Sequence, residues 1–261
     1  MARRKLQNAR ALITGASSGI GRELARKLSQ AGAKIVVTAR RESRLRELVE
    51  ELQAAGATAF ALAGDITLPG FRTELLQFTR EQLGGLDLLV NNAGAGAIGR
   101  FLESTPDTLR RIMELDFFAP VELIREALPQ LQAGQKPMIV NVSSVLGHRA
   151  VPKKSEYCAA KFALHGMSDA LRAEFTPLGI DVLLVSPSTT ESEFFDVAAG
   201  DKAQLPWLKI RGMSSAAVAR AALKAIRAGR HEIVLSPGGK LLVWFDRLCP
   251  PLVNRLVAKW G

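Results

Sequence analysis

The chain has 261 residues, 48% hydrophobic and 23% charged. That is enough apolar material for one large α/β core, and the composition does not indicate disorder. The 35 Lys and Arg against 25 Asp and Glu leave a formal charge of +10, which favours anionic partners such as phosphorylated cofactors. No arginine-rich arm, zinc-ligand spacing or aromatic RNA-reading motif accompanies that charge, so nucleic acid is not an expected partner.

Residues 1–10 (MARRKLQNAR) are basic but precede no apolar run of signal-peptide type, so no secretory leader is expected. Strands are predicted at residues 10–14, 35–39, 57–63, 86–91, 138–142, 181–185 and 232–235. Helices are predicted between them at 20–31, 42–55, 71–83, 106–132, 155–176 and 215–228. Strands alternating with helices of this length indicate βαβ units and a parallel sheet. β-branched runs such as Ile35-Val36-Val37 suit strands buried on both faces. Residues 188–213 interrupt the rhythm and read as a lid or pocket wall. Residues 238–261 form an apolar, basic tail.

The first strand runs into Thr14-Gly15-Ala16-Ser17-Ser18-Gly19-Ile20-Gly21 and then into a helix. Glycines at that spacing are a weak signal alone and a strong one between a strand and a helix. Gly15 can take a backbone conformation closed to side chains. Gly19 lets a pyrophosphate approach, and Gly21 lets helix and strand pack closely. The helix N-terminus offers free N–H groups to the phosphates. A Walker A loop is excluded, because no GK[ST] closes the motif.

The second strand ends Thr38-Ala39-Arg40-Arg41, where an NAD site has an acidic residue. A guanidinium grips a 2′-phosphate that a carboxylate would repel. Arg40 is the expected phosphate contact, with Arg41 or Arg22 assisting, and the expected cofactor is NADP. The alternative is a solvated helix start.

Tyr157 and Lys161 stand four apart at the start of a predicted helix, so they share a face. A phenol titrates near ~10 and is a poor base at neutral pH. A neighbouring ammonium favours the phenolate and brings it towards acid–base duty. Such pairs are also common on helix surfaces, but Tyr157 is the chain's single tyrosine. Ser144 lies thirteen residues earlier, where a hydroxyl could hold a substrate oxygen.

With Asn91-Asn92-Ala93-Gly94 after the fourth strand, these motifs make residues 8–235 resemble the short-chain dehydrogenases/reductases. The resemblance implies a single Rossmann-type doubly wound α/β domain over 1–261. It implies a seven-stranded parallel sheet ordered 3-2-1-4-5-6-7, with helices on both faces. It also implies hydride transfer between a nicotinamide and a carbonyl or secondary alcohol. Tyr157 would protonate the carbonyl oxygen, Ser144 orient it, and Lys161 bind the ribose. The cofactor contacts implied are Gly15, Ser17, Ser18, Gly19, Ile20 and Gly21, then Asp65 and Ile66, Asn92, Ala93 and Gly94. Tyr157, Lys161, Pro187, Ser188 and Ser192 complete that set. Homodimers or homotetramers built on the long helices are the implied assemblies.

Three positions depart from the family pattern. Asp116 stands where a catalytic Asn is usual, Ser188 where Gly is usual, and Ser192 where Thr is common. Asp116 and Ser188 keep open a second reading, a non-catalytic NADP(H)-binding regulator on the same fold.

Phe194, Phe195, Val197, Trp207 and Leu208 suggest an apolar pocket wall for a hydrophobic substrate, or packing on their own core. His148 reads as a loop histidine with no metal partner in view, and no metal is expected. The loop 148–154 leads to Tyr157 and could line the cleft; its Lys153 and Lys154 could attract an acidic substrate, though a solvated loop is the favoured reading. In the tail, Leu241, Leu242, Trp244, Phe245, Leu248, Leu252, Val253, Leu256, Val257 and Trp260 are punctuated by Lys240, Arg247, Arg255 and Lys259. Pro250-Pro251 should break it into two short helices. Such a stripe can lie on a membrane surface, or instead cover the pocket or pack on a second subunit; packing on protein is favoured over the membrane. Cys158 and Cys249 form no CxxC motif, which suits a reduced, cytoplasmic chain.

Overall fold

The computed structural model describes residues 4–191 and 212–259. Its strands are β1 (Arg10–Thr14), β2 (Lys34–Ala39), β3 (Ala59–Ala63), β4 (Leu88–Asn91), β5 (Met138–Val142), β6 (Asp181–Ser186), β7 (Thr190–Glu191), β8 (Met213–Ser214) and β9 (Glu232–Val234). Seven of them form one sheet in the order β3-β2-β1-β4-β5-β6-β9, with every pairing parallel. β7 and β8 pair separately and join the two ends of the predicted lid. The lid residues Phe194, Phe195, Val197, Trp207 and Leu208, with Ser192 and Trp260, lie outside the described residues.

Alternation along the strands builds a core on each face. Ile13, Val37, Val90, Val140 and Val185 face α1 (Gly19–Gln30), α2 (Glu42–Ala54) and α7 (Ser215–Ala228). Leu12, Val36, Leu89, Ile139 and Val182 face α3 (Pro69–Leu83) and α5 (Ala119–Gln132). Burying both faces is what the near-continuous apolar strands require. Truncating a core leucine such as Leu12 or Leu89 to Ala should cost about 2–5 kcal/mol.

The helix predicted over 106–132 is divided into α4 (Pro106–Met113), a π turn (Glu114–Phe118) and α5. Pro120 has no N–H for the Asp116 carbonyl, and its ring would crowd that carbonyl in a regular helix. The wider turn relieves the conflict and carries Asp116 to a buried position.

α6 (Ser155–Glu174) follows β5. The tail breaks at Pro250, as expected, into α8 (Pro237–Leu248) and α9 (Pro250–Ala258). Among the described residues no helix is long and apolar enough to cross a membrane.

Candidate active site

In a doubly wound sheet the carboxyl ends of the strands open a crevice where the strand order reverses. Here that point lies between β1 and β4. A cavity of about 1110 Å³ runs along it. Its wall includes the glycine turn, Asn92–Gly94 after β4, Ser143–Leu146 after β5, and Pro187–Thr190 after β6. Such a volume exceeds that of an ordinary small-ligand pocket and leaves room for a dinucleotide with a substrate.

The turn is shaped for close approach. Gly15 and Gly19 have φ of +66° and +57°. A Cβ at Gly21 would lie 2.4 Å from Asn92 Nδ2 and 2.6 Å from the Gly15 carbonyl oxygen, so only glycine fits. Asn92 locks the ends of β1 and β4 together, donating to the carbonyls of Thr14 (2.9 Å) and Gly15 (3.1 Å). Behind it, buried Asn91 donates to Asn141 (2.9 Å), and Asn141 donates to Ser168 (2.9 Å). Asp65 accepts from the Thr67 amide (3.0 Å) and hydroxyl (2.8 Å). The buried guanidinium of Arg72 donates to the Ile66 carbonyl (3.0 Å) and pairs with Glu122 and Glu126 of α5, holding that loop in place.

Of the three expected arginines, two lie on the cavity and one does not. Arg41 Nη2 donates to Ser17 Oγ (3.0 Å) and Ser18 Oγ (2.7 Å), directly over the glycine turn. Arg40 lines the same cavity. Arg22 does not line the cavity: it turns to α2, 3.5 Å from Glu47 and 3.7 Å from Glu51. One helical residue later than the turn, it projects away from the cavity, where two carboxylates meet it.

Ser144, Tyr157 and Lys161 converge. Ser144 caps the 3₁₀ turn Val145–Gly147, its Oγ accepting from the Leu146 amide at 3.1 Å, and its hydroxyl acts on Tyr157 in favour of the phenolate. Lys161 Nζ lies 5.6 Å from the centre of the Tyr157 ring and donates to the Val142 carbonyl (3.3 Å). It also lies 3.0 Å from Asp116 Oδ2. Asp116 Oδ1 accepts from the Ala95 amide at 2.8 Å, which ties the π turn to the loop after β4.

These contacts correct the expected electrostatics. Burial raises the Tyr157 pKa above its ordinary value. Lys161 and Ser144 oppose that rise, while Asp116 adds to it. Burial also raises Asp116 against the pull of Lys161. Lys161 is disfavoured by burial, yet Asp116 and Tyr157 together hold its pKa above the usual lysine value. The protein alone therefore keeps the phenol protonated.

Other expectations are also revised. Lys154 is buried and lines the cavity, and burial lowers its pKa, so it is not a solvated loop residue. Leu241, Leu242, Phe245, Val253, Leu256 and Val257 line the same cavity. Arg149 fastens this tail, donating to Asp246 of α8 (2.8 Å) and Asn254 of α9 (2.7 Å). The tail thus covers part of the pocket, in line with the expectation that it packs on protein. His148 is not isolated either: it adjoins His165 and Glu232. The spacing Tyr157, Lys161, His165 on one helix face could have pointed to His165; nothing local pointed to Glu232.

Of the expected site residues that the structure describes, all line the cavity except Gly21, Arg22 and Asp116. Gly21 and Asp116 stand immediately behind its wall.

Residues 9–202 match the family described as short chain dehydrogenase. The chain belongs to this family of oxidoreductases. It is 34% identical over 268 residues to dehydrogenase/reductase SDR family member 7B of Bos taurus, covering 97% of this chain and 81% of that protein. It is 30% identical to the uncharacterized oxidoreductase YxnA of Bacillus subtilis, over 98% and 73% of the two chains. A short chain dehydrogenase from Burkholderia cenocepacia in complex with NADP superposes with a TM-score of 0.80 at 27% identity, covering 91% of this chain and all (100%) of that one. A Burkholderia phymatum short-chain dehydrogenase/reductase in complex with NAD has the same fold, with a TM-score of 0.88 at 24% identity over 95% and 96% of the chains.

Proposed function

We propose that the chain is an NADP(H)-dependent oxidoreductase acting on the carbonyl, or in reverse the secondary alcohol, of an apolar substrate. The observation that carries this reading is the meeting of Ser144, Tyr157 and Lys161 on one cavity with the glycine turn. The cradle suits a dinucleotide, since side chains at Gly15 or Gly21 would collide with Ala93 and Asn92. The solved relatives carry NAD or NADP, and the NADP preference is inferred from Arg40 and Arg41, with no carboxylate at the end of β2.

When bound, the nicotinamide supplies or accepts the hydride. The protonated Tyr157 then delivers its proton to the carbonyl oxygen as negative charge develops there. Ser144 donates a hydrogen bond to the same oxygen and orients it. Lys161 holds positive charge beside the phenol and favours the phenolate left behind. Asp116 keeps that ammonium charged and in place. The apolar tail wall selects a hydrophobic substrate and excludes water. Half-exposed Leu109, Phe118 and Phe162 around α4–α6 support self-association through the long helices. Two free cysteines support a reducing compartment.

The test is NADPH consumption by purified protein against a panel of apolar ketones and aldehydes. Tyr157→Phe should lower kcat roughly 100- to 10,000-fold while NADPH still binds. Full turnover by that variant, or none by the native chain with any carbonyl, would reject the reading.

A further inference from the structure

We propose that His148, His165 and Glu232 form a binding site for a divalent transition-metal ion of the zinc class, behind the Ser144 loop and apart from the cofactor cavity. None of the three lines that cavity. One donor atom from each lies within 4.8 Å of those of the other two. They come from three elements: the turn after β5, α6 and β9.

The geometry approaches that of a tetrahedral centre. His148 Nε2 and Glu232 Oε1 are 3.3 Å apart, about the edge of a tetrahedron whose bonds to zinc are roughly 2.0–2.1 Å. His165 Nδ1 lies 3.0 Å from the Gly147 carbonyl oxygen. A carbonyl can only accept, so Nδ1 carries the hydrogen and Nε2 keeps its lone pair. That arrangement is the usual orienting bond of a metal-binding histidine. The two imidazoles are tilted by 58° with centroids 4.3 Å apart, which lets both present nitrogen to one side. Ser186 Oγ, 2.9 Å from His148 Nε2, adds a further oxygen.

A second observation asks for a ligand. The His148 side chain is only 2% exposed. The Glu232 Oε1, which faces His148 Nε2, is buried without a hydrogen-bond partner among the described residues. Unsatisfied buried polar atoms are costly and call for a partner. The Arg247 guanidinium acts against a cation here, whereas the carboxylates of Glu232 and Asp169 act for it. Two imidazoles with one carboxylate suit Zn²⁺ and its neighbours rather than Mg²⁺ or Ca²⁺, which prefer all-oxygen sets. The ion would cross-link β9, α6 and the loop that carries Ser144, and so brace that loop from behind.

Full-length protein stripped with chelator is titrated with Co²⁺ as a spectroscopic probe. Expected is saturation at about one ion per chain, a dissociation constant at or below about 1 µM, tetrahedral d–d absorption displaced by Zn²⁺, and a Tm that rises with Zn²⁺. Glu232→Gln and His165→Gln should each weaken Co²⁺ binding at least about 100-fold, since even supporting partners of metal ligands are worth about 10- to 100-fold. Both should keep the native circular dichroism spectrum and NADPH affinity. Glu232→Gln carries the test should a histidine variant misfold. Cys249→Ser should bind as the native chain does. The proposal is overturned if the native chain shows no saturable binding. It is also overturned if folded Glu232→Gln binds unchanged, or if Cys249→Ser abolishes binding.

Discussion

Lys161 Nζ lies 3.0 Å from Asp116 Oδ2, and both side chains are almost wholly buried. Two opposite charges at this distance in a desolvated setting govern each other's protonation. Asp116 also acts on Tyr157 through space, raising its pKa against the pull of Lys161.

Asp116→Asn removes that negative charge and leaves the side chain's shape nearly intact. For alcohol oxidation Tyr157 must be deprotonated, so the rate rises as pH passes its pKa. With the carboxylate gone, the Tyr157 pKa falls and the rising limb of kcat/KM moves to lower pH. Profiles of the variant and the native enzyme in the oxidation direction check this; superimposable limbs would show the carboxylate to be irrelevant to the phenol.

Arg41, seated on Ser17 and Ser18, is expected to matter more for the 2′-phosphate than Arg40. Charge-assisted hydrogen bonds contribute about 1.5–3 kcal/mol each. Arg41→Ala should therefore lower the ratio of kcat/KM for NADPH over NADH roughly 10- to 100-fold. A native ratio near one, or a ratio untouched by the substitution, would remove the basis for NADP preference.

Phe245 lines the cavity from the tail. Phe245→Ala deletes apolar surface that a hydrophobic substrate would cover, and should raise KM for long-chain ketones about tenfold with kcat little changed. Small polar carbonyls should be unaffected. Equal losses for both substrate types would indicate a distorted site instead of a missing contact.

Asp87 anchors the amino end of the sheet. Its carboxylate receives Arg10 Nε (2.9 Å) and Nη2 (2.6 Å), and the amides of Arg10 (2.9 Å) and Gln135 (2.6 Å). Burial raises its pKa, but these donors outweigh burial and hold it below the ordinary 3.8. A depressed carboxylate contributes stability that is complete above the unfolded value and is lost as pH falls through the folded one. Asp87→Asn should cost about 2–3 kcal/mol at pH 7. In urea melts the gap from the native chain should close as pH drops below 3.8; a constant gap would contradict the linkage.

Much of the architecture was legible in the chain because its signals are local. Alternating apolar runs, turn glycines and the Tyr157–Lys161 spacing each depend on neighbours within a few residues. They were sufficient for a parallel sheet with a glycine turn after its first strand and for the tail's break at Pro250, whereas the strand order came from the family resemblance. The π turn was missed although Pro120 stood in plain view, because helical periodicity continues on both sides of it.

The linear order of residues thus determined the doubly wound sheet and the set of groups at its carboxyl edge. Contacts between distant segments were decided only by folding: Arg41 over the turn in place of Arg22, Asp116 against Lys161, the tail in the pocket wall, and His148 beside Glu232. Secondary structure follows from short-range sterics and periodicity. The charge on a phenol, or the partner of a histidine, follows from burial and from whichever side chains the packed elements bring within a few ångströms.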